Sequence, residues 1–81
     1  MKTKAKIMIV DDAEMNREIL MVILGDEYEY VQAENGRQAI HILQQDMNID
    51  LMLLDINMPE MNGFQVLDQM NTFHWINDIP V

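Results

Sequence analysis

The amino-acid sequence predicts an α/β domain, a doubly wound parallel sheet with helices on both faces and strands in the order 2-1-3-4. Three observations carry that expectation. Two apolar runs, IMIV at residues 7–10 and LMLL at 51–54, have the length and continuity of strands buried on both faces. Segments of helical period alternate with strand-like segments along the chain, a pattern that calls for parallel strands joined by right-handed crossovers. The strand-like segment between the two runs is more polar, so it belongs at an edge and the runs belong at the centre.

The first strand covers residues 7–10. In AEMNREILMVILGD, Met15, Ile19, Val22 and Ile23 follow at spacings of four, three and one, which is helical. Asp12 can act as the N-cap, Glu14 and Glu18 suit the positive helix end, and Gly25 supplies the stop. YEYVQAE at 28–34 is rich in aromatic and β-branched residues and lies between Gly25-Asp26 and Asn35-Gly36, the marks of a second strand. NGRQAIHILQQDM opens on a capping Asn35 and sets Ala39, Ile40, Leu43 and Met47 on one helical face. DLMLLD at 50–55 is the third strand. NGFQVLDQMNTF gives a third helix with Leu67, Met70 and either Phe73 or Val66 inward, and DIPV at 78–81 reads as the start of a fourth strand. No repeat, linker or low-complexity stretch interrupts this order.

Eighty-one residues make one domain, 1–81, with a thin core, since a chain this short buries only ~60 to 65% of its unfolded surface. Apolar residues at 49% against 23% charged are the balance of a folded protein. Fourteen acidic residues against five Lys plus Arg leave a net charge of −9, which argues against direct contact with nucleic acid or anionic membranes. There are no cysteines, hence no disulfides or thiolate metal sites. The basic start MKTKAK precedes an apolar run too short for a signal peptide, and no segment approaches the ~20 apolar residues of a membrane span. A soluble, cytoplasmic protein is expected. Lys2, Lys4 and Lys6 precede the first strand, and no lysine follows it.

In a parallel sheet of this order the first and third strands are neighbours ~4.8 Å apart. Asp11, Asp12 and Asp55 therefore converge at their carboxyl ends, at the switch point where open α/β sheets bind ligands. Three carboxylates gathered there repel one another unless a hard divalent cation neutralises them. Magnesium suits such a site, because it takes oxygen ligands and combines one or two carboxylates with water and phosphate. A carboxylate beside it can attack a phosphoryl group. Asp55, alone at its strand end, is the candidate nucleophile, and Asp11 with Asp12 the candidate metal clamp. One Asp after a strand is ordinarily a helix cap; VDD and LLD together at adjacent strand ends are not explained by capping.

IMIVDDAEMNR, AENGRQAI and LMLLDINMPEMNGFQVL resemble, in order and spacing, the receiver domain of two-component response regulators, from about residue 6 to 81. The core pattern D-x-N-M-P-x-M-x-G stands at 55–63. The resemblance implies a flavodoxin-like fold and a phosphoacceptor at Asp55, with Mg2+ as cofactor. The phosphoryl group would come from a histidine kinase, a phosphotransfer protein or a small phosphodonor. It also implies Asp12 as a direct magnesium ligand, Asp11 as an acid acting mainly through water, and Asn57 as a ligand through its backbone carbonyl. Met58, Pro59 and Gly63 correspond to the loop at the rim, where Pro59 fixes φ and restrains Met58, and Gly63 permits backbone conformations that other residues resist.

Two family features are absent from these 81 residues: a Ser or Thr ending the fourth strand and a Lys ending the fifth, which grip the phosphoryl oxygens. Most of the fourth strand and the two helices and strand beyond it are absent too. Read as a truncated receiver, the chain is expected to phosphorylate slowly or weakly. It is also expected to self-associate through an exposed sheet edge as a homo-oligomer. The alternatives are a self-associating fragment without phosphotransfer and, more remotely, a magnesium-dependent aspartyl-phosphate phosphohydrolase. One such family separates its two acids as D-x-D, whereas Asp11 and Asp12 are adjacent and followed by Ala13. His41 and His74 read as ordinary partly exposed histidines, most of the nine methionines as core filling, and Trp75 as a cover for apolar surface.

Overall fold

β1, Lys6–Val10, runs through the middle of a parallel sheet with β2, Glu29–Ala33, on one side and β3, Leu51–Leu54, on the other. The structure is a computed structural model and describes residues 4–45, 48–55, 62–72 and 79–80. Three helices separate and follow the strands: α1 at Glu14–Leu24, α2 at Gly36–Gln45 and α3 at Gly63–Thr72. The strand order 2-1-3 is the expected one. The Met52 N–H donates to the Pro80 carbonyl at 2.9 Å, so the chain returns along β3 on the side away from β1, where a fourth strand is expected. β1 begins one residue earlier than the apolar run. Lys6 is drawn into it by Asp50, whose Oδ2 accepts the Lys6 N–H at 2.7 Å and whose N–H donates to the Lys6 carbonyl at 2.8 Å.

Alternation along the strands divides the core between two faces. Met8, Val10, Ala33 and Met52 meet Ala39, Ile40 and Leu43 of α2 and Val66 and Met70 of α3. Val66 and Met70 supply the inward face of α3, and Leu67 is half-buried. Ile7 and Ile9, also buried, alternate with Met8 and Val10 and so lie on the opposite face, the one on which Gln32, paired with Ile9, meets Arg17 of α1. Met47, Phe73, His74 and Trp75 lie outside the described residues, and His41 is exposed on α2.

The helix ends follow local chemistry. Asn35 Oδ1 accepts the Gln38 N–H at 2.8 Å while Gln38 Oε1 accepts the Glu34 N–H at 2.7 Å. Asn62 and Gln65 exchange the same kind of bonds at 3.0 and 2.9 Å, each satisfying N–H groups that a helix start leaves unpaired. Gly25 ends α1 at φ +90, and its N–H donates to the Met21 carbonyl at 3.0 Å. The N-cap of α1 departs from expectation: it is Ala13, without a side-chain cap bond, and not Asp12. The Asp11 carboxylate instead takes the Ala13 N–H at 2.9 Å, one residue earlier than capping by Asp12 would require.

The apolar stripe of α1 also lies elsewhere than core filling would place it. Met15, Ile19, Val22 and Ile23 are 71%, 48%, 81% and 72% exposed. Arg17, Leu20, Met21 and Leu24, a second set at helical spacing, are the more buried residues of the helix. Val22→Ser is therefore expected to change the unfolding free energy of this chain by less than about 0.5 kcal/mol, read from urea denaturation.

Tyr30 on β2 donates its hydroxyl to the Gly25 carbonyl and meets the Tyr28 ring edge-on, with centroids 6.4 Å apart. Loss of water around the phenol, then the nearby Tyr28 and Asp26, push its pKa above the ordinary tyrosine value. A raised folded pKa gives stability that is fully present below the unfolded value of about 10 and lost as pH rises through the folded one. Melting temperatures measured from about pH 9 to 11 should fall more steeply for the unsubstituted chain than for Tyr30→Phe.

Candidate functional site

The ends of β1 and β3 stay in register one residue past the strands. The Asp55 N–H donates to the Val10 carbonyl at 2.9 Å, and the Asp11 N–H donates to the Ala33 carbonyl at 3.1 Å. Asp11 and Asp55 are thereby held side by side at the carboxyl edge of the sheet, and Asp12 follows where the chain leaves β1 for α1. Ligand oxygens of all three lie within 4.8 Å of one another. Asp11 is 9% exposed, Asp12 is exposed and Asp55 half-buried, so the cluster grades from the sheet edge into solvent. A hollow of about 320 Å³ adjoins it, lined by Val10, Asp11, Leu20, Leu53, Leu54 and Asp55.

Two unit negative charges at this separation repel by about 3 kcal/mol at an effective dielectric of 20, less where water screens Asp12. The donors are all carboxylate oxygens, with no thiolate or imidazole among them. That donor set fits a hard cation such as Mg2+ and not a structural zinc ion.

The structure therefore brings together the three acids that the sequence singles out. Gly63 is the first residue of α3. Asn57, Met58 and Pro59 lie outside the described residues.

Arg17 and Gln32 went unread in the sequence. Arg17 is 6% exposed; its Nη1–H donates to the Asp11 carbonyl at 2.6 Å and its Nε–H to Gln32 Oε1 at 3.0 Å. The signal was there: Arg17 shares its helical face with Leu20, Met21 and Leu24.

The sequence profile of the response regulator receiver domain matches residues 7–81. The response regulator RR06 of Streptococcus pneumoniae is 41% identical over 76 residues, covering 93% of this chain and 33% of that protein. Among solved structures, the response regulator protein TrrA of Thermotoga maritima, in complex with Mg(2+)-BeF, superposes with a TM-score of 0.81. It is 36% identical over 93% of this chain and 64% of its own. The receiver domain of Ssk1, solved with the histidine phosphotransfer signaling protein Ypd1 of Saccharomyces cerevisiae, gives a TM-score of 0.80 at 26% identity. That match covers 96% of this chain and 54% of the other. The chain thus spans about a third of the length of the curated relative and rather more than half of the solved ones.

Proposed function

This chain belongs to the response regulator receiver domain family, and from that premise we propose that Asp55 accepts a phosphoryl group, with Asp11 and Asp12 holding Mg2+ beside it. The observation that carries the reading is the convergence of the three carboxylates within 4.8 Å at the ends of β1 and β3. Receiver domains are signalling domains, and the phosphohydrolase reading is not favoured.

In the proposed step an oxygen of the ionised Asp55 carboxylate attacks phosphorus. A new P–O bond forms as the P–N bond of a phosphohistidine, or the P–O bond of a small acyl phosphate, breaks. The leaving group takes the electron pair, and a histidine leaving group takes a proton to return to neutral imidazole. Magnesium, when bound, would offset negative charge on the transferring oxygens. Asp11, tied to the backbone through Ala13, keeps its place while Asp12 on the solvent side completes the clamp. Asn57 would add its backbone carbonyl, and Met58, Pro59 and Gly63 would shape the rim.

The donor is proposed to be a histidine kinase or phosphotransfer protein; the solved pairing of the Ssk1 receiver with Ypd1 supports that class of partner. No helix among the described residues is long and apolar enough to cross a membrane.

The test is intact-mass analysis of the purified chain after incubation with acetyl phosphate and Mg2+. A gain of one phosphoryl group, absent with chelator and absent in Asp55→Asn, is expected. A gain that persists in Asp55→Asn would overturn the assignment of the nucleophile, and no gain in folded protein would overturn the function.

A further inference from the structure

A guanidinium 6% exposed has given up nearly all its water and must recover hydrogen bonds from the protein. Arg17 recovers them from two places that matter to the acid cluster. Nη1 bonds the backbone carbonyl of Asp11, the residue at which the chain leaves the sheet, and Nε bonds Gln32 on β2. The Arg17 backbone N–H makes the ordinary helical bond to the Ala13 carbonyl at 3.2 Å, which fixes the far end of the Asp11–Asp12–Ala13 bend, and the guanidinium adds the tie at its Asp11 end.

We propose that Arg17 is a positioning residue for the metal cluster, fixing the bend at Asp11 and with it the spacing of the Asp11 and Asp12 carboxylates from Asp55. Gln32 is the residue that aims it. The inference rests on the reading of the three acids as a Mg2+ site. It differs from a simple electrostatic role in the sign of its effect. A cation placed near a metal site weakens metal binding by repulsion, so if charge were all that mattered, its removal would tighten binding. A brace does the opposite: its removal lets the carboxylates spread under their own repulsion and weakens binding. Outer partners that orient ligands are worth roughly 10- to 100-fold in metal affinity.

The experiment is a calorimetric titration of the chain with MgCl2, with circular dichroism confirming that each protein is folded. Arg17→Met, close in length but uncharged, is expected to raise Kd at least about tenfold. Arg17→Lys keeps the charge but not the two-point aim. Gln32→Ala, at an exposed position on β2, leaves the arginine in place and loosens it. Both are expected to raise Kd severalfold. Tighter binding by Arg17→Met would overturn the proposal in favour of charge alone. Unchanged Kd in folded Arg17→Lys and Gln32→Ala would overturn it even if Arg17→Met does not fold. If the unsubstituted chain shows no saturable Mg2+ binding, the metal reading fails and the proposal with it. If it binds and Asp12→Asn does not, while the Arg17 and Gln32 variants match the unsubstituted chain, the proposal alone fails.

Discussion

Met52→Ala is expected to lower the unfolding free energy by about 2–5 kcal/mol and the melting temperature by about 10 °C or more. Met52 is 0% exposed, pairs with Met8 across the β1–β3 ladder, and donates its N–H to Pro80 on the other side. It therefore has β1 on one flank, Pro80 bonded on the other and the α2–α3 layer packed over it, close-packed surroundings that relax only partly around a missing side chain. A domain of this length has a total stability of about 4–12 kcal/mol, so the loss takes a large share of it. Urea titrations of Met52→Ala and Val22→Ser side by side make the comparison. One apolar residue is wholly enclosed and the other is 81% exposed, and near-equal effects would contradict the placement of β3 and α1.

The second large effect has opposite signs in the two metal conditions. In chelator, Asp12→Asn removes one of three mutually repelling charges and is expected to melt a few degrees higher than the unsubstituted chain. In millimolar Mg2+ the order reverses. Binding to the folded state alone stabilises by RT ln(1 + [L]/Kd), and the variant, with a weakened clamp, gains little of that term. Scanning calorimetry of both proteins with and without Mg2+ gives the four temperatures. A variant that melts lower in chelator would show that Asp12 is held by structural bonds instead of being strained by its neighbours. Equal gains from Mg2+ would remove it from the clamp.

Much of this could be read from residue order because strands and helices in a parallel sheet are forced into alternation. Once IMIV and LMLL are central strands, Asp11 and Asp55 must end side by side. Gly25 and Asn35 mark helix ends by local chemistry, and local chemistry survives in any context. The face of α1 was less legible. The helix carries two apolar sets at helical spacing, and the richer one, at Met15, Ile19, Val22 and Ile23, is the exposed one. Periodicity identifies a helix without saying which stripe meets the sheet; here a buried arginine marks the inward side. The Ala13 cap was missed for a related reason: the Asp11 carboxylate reaches forward two residues to the Ala13 N–H, a bond that the expected capping role of Asp12 did not suggest.

Self-association through the sheet edge, expected from the sequence, is a separate proposal. It is checked by sedimentation, where a mass independent of concentration with a cooperative melt would count against it.

Asp55 is the proposed seat of this chain's chemistry. Acyl phosphates are reduced by borohydride to the corresponding alcohol, so treating the phosphorylated chain with tritiated borohydride writes the label into the residue that carried the phosphoryl group. Peptide sequencing should recover labelled homoserine at position 55 and nowhere else. Label at position 11 or 12, or none from a folded chain that has gained the phosphoryl mass, would remove Asp55 as the phosphoacceptor.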